Sequence, residues 1–232
     1  MHTLLKPLPI RAELLDRNIK LFTPEVFQRV FRSSPPQTKY FLETQVREGG
    51  LLARPKQGLY SLRTDPPAAE ELANALYQPS YLSFEYALSY HGIIPERPYT
   101  ITSATTKATA SFTTRDLEFA YYKIKIAAYT GYSLRRDASS SFLLADPEKA
   151  LVDYLYFVSL GKRTLNDRID TTDLNTKKLR VYAKLYQRPS LESLLDNLLA
   201  PEKLRRPRNP EKLVKQAVPA SPARREKHYA DV

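Results

Sequence analysis

Apolar positions in the first fifty residues recur with helical spacing, and then the spacing changes. Residues 10–19 read as a short amphipathic helix. Val26, Phe27, Val30 and Phe31 fall at i, i+1, i+4 and i+5, which makes one stripe on a second helix. Thr23-Pro24-Glu25 supplies its start: a capping hydroxyl, a proline at the first helical position and an early acid. Ser33-Ser34-Pro35-Pro36 breaks that helix and opens a third. There Phe41, Leu42 and Val46 face inward, and Gln37, Thr38, Lys39, Thr44 and Arg47 are left outside. Gly49-Gly50 ends it. Residues 51–62 then predict two short strands around a turn that carries Arg54, Lys56 and Gln57.

Beyond a Pro-rich link at Asp65-Pro66-Pro67, helices are expected at 70–77 and 80–90, the second closing at His91-Gly92. Strand-like segments follow at 99–105, 111–125 and 142–145, where Phe112, Leu117, Phe119 and Tyr121 partly alternate. Asp146-Pro147-Glu148 opens a further helix running to Gly161, and two more are expected at 173–187 and 190–200. The fold class is α+β. It comprises an N-terminal winged helix-turn-helix over 1–64, a mixed α/β domain with a helical end over 70–200, and a basic, flexible tail over 201–232.

Charge sharpens this division. The 232 residues carry a net charge of +11. Residues 1–64 hold eleven Lys and Arg against five acids, residues 65–200 hold sixteen of each, and residues 201–232 hold nine against four. The excess therefore sits at the two ends. A polyanion surface needs that distribution, because Lys and Arg that displace counterions along a phosphate backbone supply much of nucleic-acid affinity. In this reading the third helix enters the major groove. Gln37 suits adenine, and Lys39 suits guanine or a phosphate. Thr38 and Thr44 lie beside them. Arg54 and Lys56 in the hairpin, with Gln57 beside them, would sit over a backbone or minor groove, and Arg32 and Arg47 would assist. Arg135-Arg136 and the tail cluster Arg205, Arg206 and Arg208 would add phosphate contacts. The same layout also describes a small helical cap whose hairpin covers its own core, and a basic tail also serves solubility.

Other chemistries find little support. The chain has no Cys, and its His residues stand at 2, 91 and 228 without metal-ligand spacing, so neither a metal nor a cofactor is expected. No apolar run reaches membrane length, the first residues lack a secretory signal, and the expected compartment is the cytoplasm. Glu118 and Lys123 are five apart and face opposite sides of a strand, unlike a nuclease pair. Gly161-Lys162-Arg163 lacks the rest of a phosphate loop. Glu148, Lys149 and Asp153 look catalytic, yet Lys149 and Asp153 at i, i+4 read more simply as a helix-surface pair worth a few tenths of a kcal/mol. His91 reads as a helix end. The many Tyr and Phe residues read as core more readily than as a base-stacking platform. A non-enzyme is expected.

Several blocks, in order, carry a resemblance. They are Phe22-Thr23-Pro24 with Gly49-Gly50-Leu51-Leu52-Ala53-Arg54 and Gly58-Leu59-Tyr60; Pro79-Ser80-Tyr81-Leu82-Ser83-Phe84-Glu85-Tyr86 through His91-Gly92; Ile101-Thr102-Ser103-Ala104-Thr105; and Leu144-Ala145-Asp146-Pro147-Glu148-Lys149-Ala150-Leu151-Val152-Asp153-Tyr154. Together, over about residues 20–160, the chain resembles the AbiEi-type antitoxins of type IV toxin–antitoxin systems. Pro35-Pro36 departs from the family pattern. The resemblance implies a repressor that binds inverted repeats in the promoter of its own operon, as two copies on double-stranded DNA. It also implies a nucleotidyltransferase-like toxin as functional partner. Ser83, Glu85, His91, Glu148, Lys149 and Asp153 are its central-domain motif residues. The rival reading is an interaction protein whose central domain binds and blocks the toxin directly, with DNA binding secondary.

Overall fold

Proline starts three of the first helices' turns, and the apolar stripes behind those starts assemble the first core. The computed structural model describes residues 5–47, 49–114, 117–136 and 140–200. Helix α1 (Pro7–Asp16) buries Ile10 and Leu14, one turn apart. A two-residue strand, β1 (Leu21–Phe22), leads to α2 (Pro24–Phe31), where the Thr23 hydroxyl accepts the Val26 amide. Helix α3 spans Pro35–Arg47. Strands β2 (Leu52–Lys56) and β3 (Leu59–Leu62) form a hairpin, and Gly58 at its turn takes φ +77°, a conformation glycine adopts without strain. The sheet order is β1-β3-β2, antiparallel throughout. Phe27 is the hub of the core, with ring centroids 4.5 Å from Phe31 and 5.5 Å from Phe41. Ile10, Leu14, Phe22, Leu42, Leu52, Tyr60 and Leu62 complete it.

The second core is larger. Helix α4 (Ala69–Leu76), β4 (Ser80–Leu82), α5 (Phe84–Tyr90), β5 (Thr100–Thr105), β6 (Ala110–Thr113), β7 (Glu118–Lys123), β8 (Tyr132–Arg136), β9 (Ser141–Ala145), α6 (Pro147–Ser159), α7 (Thr176–Leu185) and α8 (Pro189–Leu199) follow in order. The six strands run β6-β7-β5-β4-β9-β8; β5 pairs with β7 and β4 with β9 in parallel, and the remaining pairs are antiparallel. Helix α6 is buried at every position from Glu148 to Leu155. A helix covered all round belongs in the middle, and α6 packs against α5, α7, α8 and β9. Both cores belong to one compact unit ending at Leu199. The expected mixture of helices and sheet is observed.

Three expectations change. Residues 80–90 are not one helix: Ser80–Leu82 is a strand inside the sheet, buried at all three positions. A strand covered on both faces loses period-2 alternation and merges with the apolar helix after it. Residues 111–125 divide into β6 and β7, with the Thr114 amide bonded to the Leu117 carbonyl between them. Strand β8 carried no sequence signal because Ser133–Arg136 are exposed at every position.

Candidate nucleic-acid interface

The two faces of α3 follow directly from its spacing. Thr38, Phe41 and Leu42 form the inner stripe, so Thr38 is only 1% exposed. Thr38 is therefore corrected from the outer face to the inner one, where its hydroxyl bonds that of Ser33 at 2.7 Å. Gln37 is also committed locally. Its side-chain oxygen accepts the Ser34 amide at 3.0 Å and the Ser34 hydroxyl at 2.9 Å, the returning half of a capping box. Thr44 is half-buried. The outer face comprises Lys39, Tyr40, Glu43 and Arg47. Tyr40, 72% exposed, was not singled out from the sequence, although its four-residue spacing from Pro36 places it on that face.

The hairpin contributes Arg54 and Gln57, both exposed. Lys56 is corrected. Its ammonium donates to the Leu76 carbonyl at 2.9 Å and lies 5.2 Å from the Phe112 ring centroid and 5.9 Å from that of Tyr77. These contacts fasten the hairpin to the central domain. Arg63 likewise serves the module itself, bonding the carbonyls of Gly50 and Leu52. Arg11 pairs with Asp65 and Arg17 with Glu13. Arg29, Arg32, Lys39, Arg47 and Arg54 remain exposed, and none forms an ion pair among the described residues. A solvated cation held in no ion pair is free to meet a phosphate at little desolvation cost.

The central motif residues behave oppositely. Lys149 and Asp153 are fully buried, which corrects the helix-surface reading. Asp153 Oδ2 accepts the Tyr81 hydroxyl at 2.9 Å and the Ser83 hydroxyl at 2.8 Å. Its Oδ1 accepts the Tyr186 hydroxyl at 2.5 Å and the Lys149 ammonium. Both oxygens are thus occupied, and the network ties β4, α6 and the end of α7 together. Burial holds the Lys149 ammonium below its ordinary pKa, with Asp153 opposing that shift. Burial, followed by the Asp153 charge, raises both Tyr81 and Tyr186 well above theirs.

No family model matches this chain, and no curated protein matches it.

The remaining motif residues are also internally engaged. Glu148, 7% exposed, accepts the Asn175 amide at 3.0 Å and so fixes the entry to α7. His91 Nε2 bonds the Ala145 carbonyl at 2.8 Å, and burial lowers its pKa below the usual 6.5. Glu85 pairs with Arg163, a partner that sequence spacing did not reveal. Arg135 and Arg136 are exposed on β8, at an edge of the sheet. Arg205, Arg206 and Arg208 lie outside the described residues. Among the described residues no group of three or more His, Asp or Glu is arranged to hold a metal, and no helix is long and apolar enough to cross a membrane.

Proposed function

We propose that this protein is a sequence-specific DNA-binding antitoxin of the AbiEi type, whose N-terminal helices and hairpin act as a winged helix. Helix α3 would be the recognition helix. Lys39 and Arg47 would meet the major groove and the phosphates that flank it, with Tyr40 between them, and Arg54 in the hairpin would meet the backbone beside it. Bound to inverted repeats upstream of its own gene, the protein would limit transcription of a nucleotidyltransferase-like toxin. The observation that carries this reading is the set of five exposed cations, Arg29, Arg32, Lys39, Arg47 and Arg54, with no ion-pair partner among the described residues of a module of net charge +6.

The test is fluorescence anisotropy of the full chain on DNA from upstream of its gene, against scrambled DNA, across a salt series. If all five cations contact phosphate, log affinity should fall against log salt with a slope of about −4 to −5 per chain. Operator DNA should remain preferred at moderate salt. Equal binding to both DNAs, abolished together by salt, would contradict the reading.

One feature favours the rival, direct capture of the toxin by the central domain. Among the described residues strand β8 is an edge of the sheet, and Leu134, Arg135 and Arg136 stand exposed along it. Such an edge can accept a strand from another chain. Loss of toxin rescue on Leu134→Pro, with repression retained, would select this rival.

A further inference from the structure

A cleft of about 630 Å³ opens on the central domain, well inside the size range of small-molecule sites. Among the residues lining it are Tyr99 ahead of β5, Tyr122 on β7, Glu85 on α5, Phe157 on α6, and Lys162 and Arg163 just after α6. None of these residues belongs to the surface assigned to DNA.

Its floor is built with care around one cation. The Arg163 guanidinium lies 4.4 Å from the Tyr122 ring centroid, 4.8 Å from that of Phe84 and 5.5 Å from that of Phe157. Its side chain is 11% exposed and pairs with Glu85. Among the described residues Glu85 is its only hydrogen-bond acceptor. Arginine carries five N–H donors, so the Glu85 contact does not use them all. The backbone supports this arrangement at a cost. Phe84 opens α5 at φ +59°, a left-handed conformation that bulky side chains avoid, and strain of this kind persists where the surroundings enforce it, often at functional sites.

The rim adds two complementary features. Lys162 is exposed and has no ion-pair partner among the described residues. Tyr99 is 97% exposed, an unusual position for a large aromatic ring, and among the described residues no ring stacks on it. One carboxylate against two cations leaves the cleft with an excess positive charge. An oriented guanidinium, a mobile ammonium and an open aromatic face make a site for a molecule that carries both phosphate and a flat ring.

We propose that this cleft binds a mononucleotide, with its phosphates on Lys162 and Arg163 and its base on Tyr99. Arg163 supplies direction, because three rings and Glu85 fix its plane. Lys162 supplies a second charge that follows the phosphate. Tyr99 distinguishes a nucleotide from inorganic phosphate.

The experiment is isothermal calorimetry of the full chain with ATP, GTP, CTP and UTP in turn, and with inorganic phosphate and adenosine as half-ligands. At least one nucleotide should bind with a Kd below about 1 mM, and each half-ligand should bind at least about tenfold more weakly. Tyr99→Ala should weaken nucleotide binding at least about fivefold, the lower end of one stacked base. Lys162→Ala should do the same, and both variants should keep the wild-type melting temperature because both side chains are exposed. The triple variant Lys39→Ala, Arg47→Ala, Arg54→Ala serves as the control and should bind nucleotide as the wild type does. Failure of all four nucleotides to bind at millimolar concentration would overturn the proposal. So would binding that ignores both Tyr99→Ala and Lys162→Ala, or binding that the triple variant abolishes. The DNA reading stands or falls separately, because the two residue sets do not overlap.

Discussion

The N-terminal module and the central domain use the same residue types in opposite ways. In the first, Arg29, Arg32, Lys39, Arg47 and Arg54 are left in water without ion-pair partners among the described residues. In the second, the charged residues that most resemble a motif are turned inward: Lys149, Asp153 and Glu148 all hold internal partners. Recognition requires charges whose hydration is easily exchanged for a ligand. Scaffolding requires charges whose alternatives have been removed. On the proposed function, binding falls to the outer face of α3 and the hairpin, while the β4–α6–α7 network is architecture.

Breaking the scaffold should have the largest effect. Asp153→Ala strands the Lys149 ammonium in the core and frees the Tyr81, Ser83 and Tyr186 hydroxyls. It should cost about 3–5 kcal/mol in denaturant unfolding, enough to threaten folding at 37 °C. A loss below about 1 kcal/mol would return the pair to the helix surface. Breaking the other side should spare the fold: Lys39→Ala with Arg47→Ala and Arg54→Ala should reduce the salt slope of operator binding by nearly three units at an unchanged melting temperature.

Two substitutions sharpen the boundary between the regions. Thr38→Val, beside Lys39 in sequence but on the inner face, should lose about 1 kcal/mol of stability and leave operator affinity within about twofold. Lys56→Met should behave alike, because that ammonium is committed to the Leu76 carbonyl. An operator defect comparable to that of Lys39→Ala would show that Lys56 leaves its internal site on DNA. The smallest effect concerns pH. The folded His91 has a pKa below the 6.5 expected of the unfolded chain. Its neutral ring therefore contributes stability that is complete above pH 6.5 and is lost as the pH falls. His91→Gln, which retains an amide donor for Ala145, should flatten the decline in melting temperature between pH 7 and pH 5. An identical decline in both proteins would show that other groups carry it.

Much of the N-terminal module was legible in the sequence, since its elements are amphipathic and the 3.6-residue period names both faces. Thr38 shows that the period was the better guide than polarity: at i−3 from Phe41 and i−4 from Leu42 it belongs to the buried stripe. The central domain was harder to read. Ser80–Leu82 is covered on both sides and runs straight into α5, so no change of period marks the boundary. Lys149 and Asp153 look like any i, i+4 surface pair. The clue lay in their neighbours, because Ala150, Leu151, Val152, Tyr154 and Leu155 leave α6 almost no polar face for them to occupy. The Arg163–Glu85 contact spans seventy-eight positions, and no local pattern could reveal it.

The division of labour is tested most directly by hydrogen–deuterium exchange of the full chain with and without operator DNA. Added protection is expected over Pro35–Arg47 and across the hairpin at 52–62, with β4, α6 and α7 exchanging as in the free protein. Protection concentrated on the central sheet, with α3 unchanged, would contradict it.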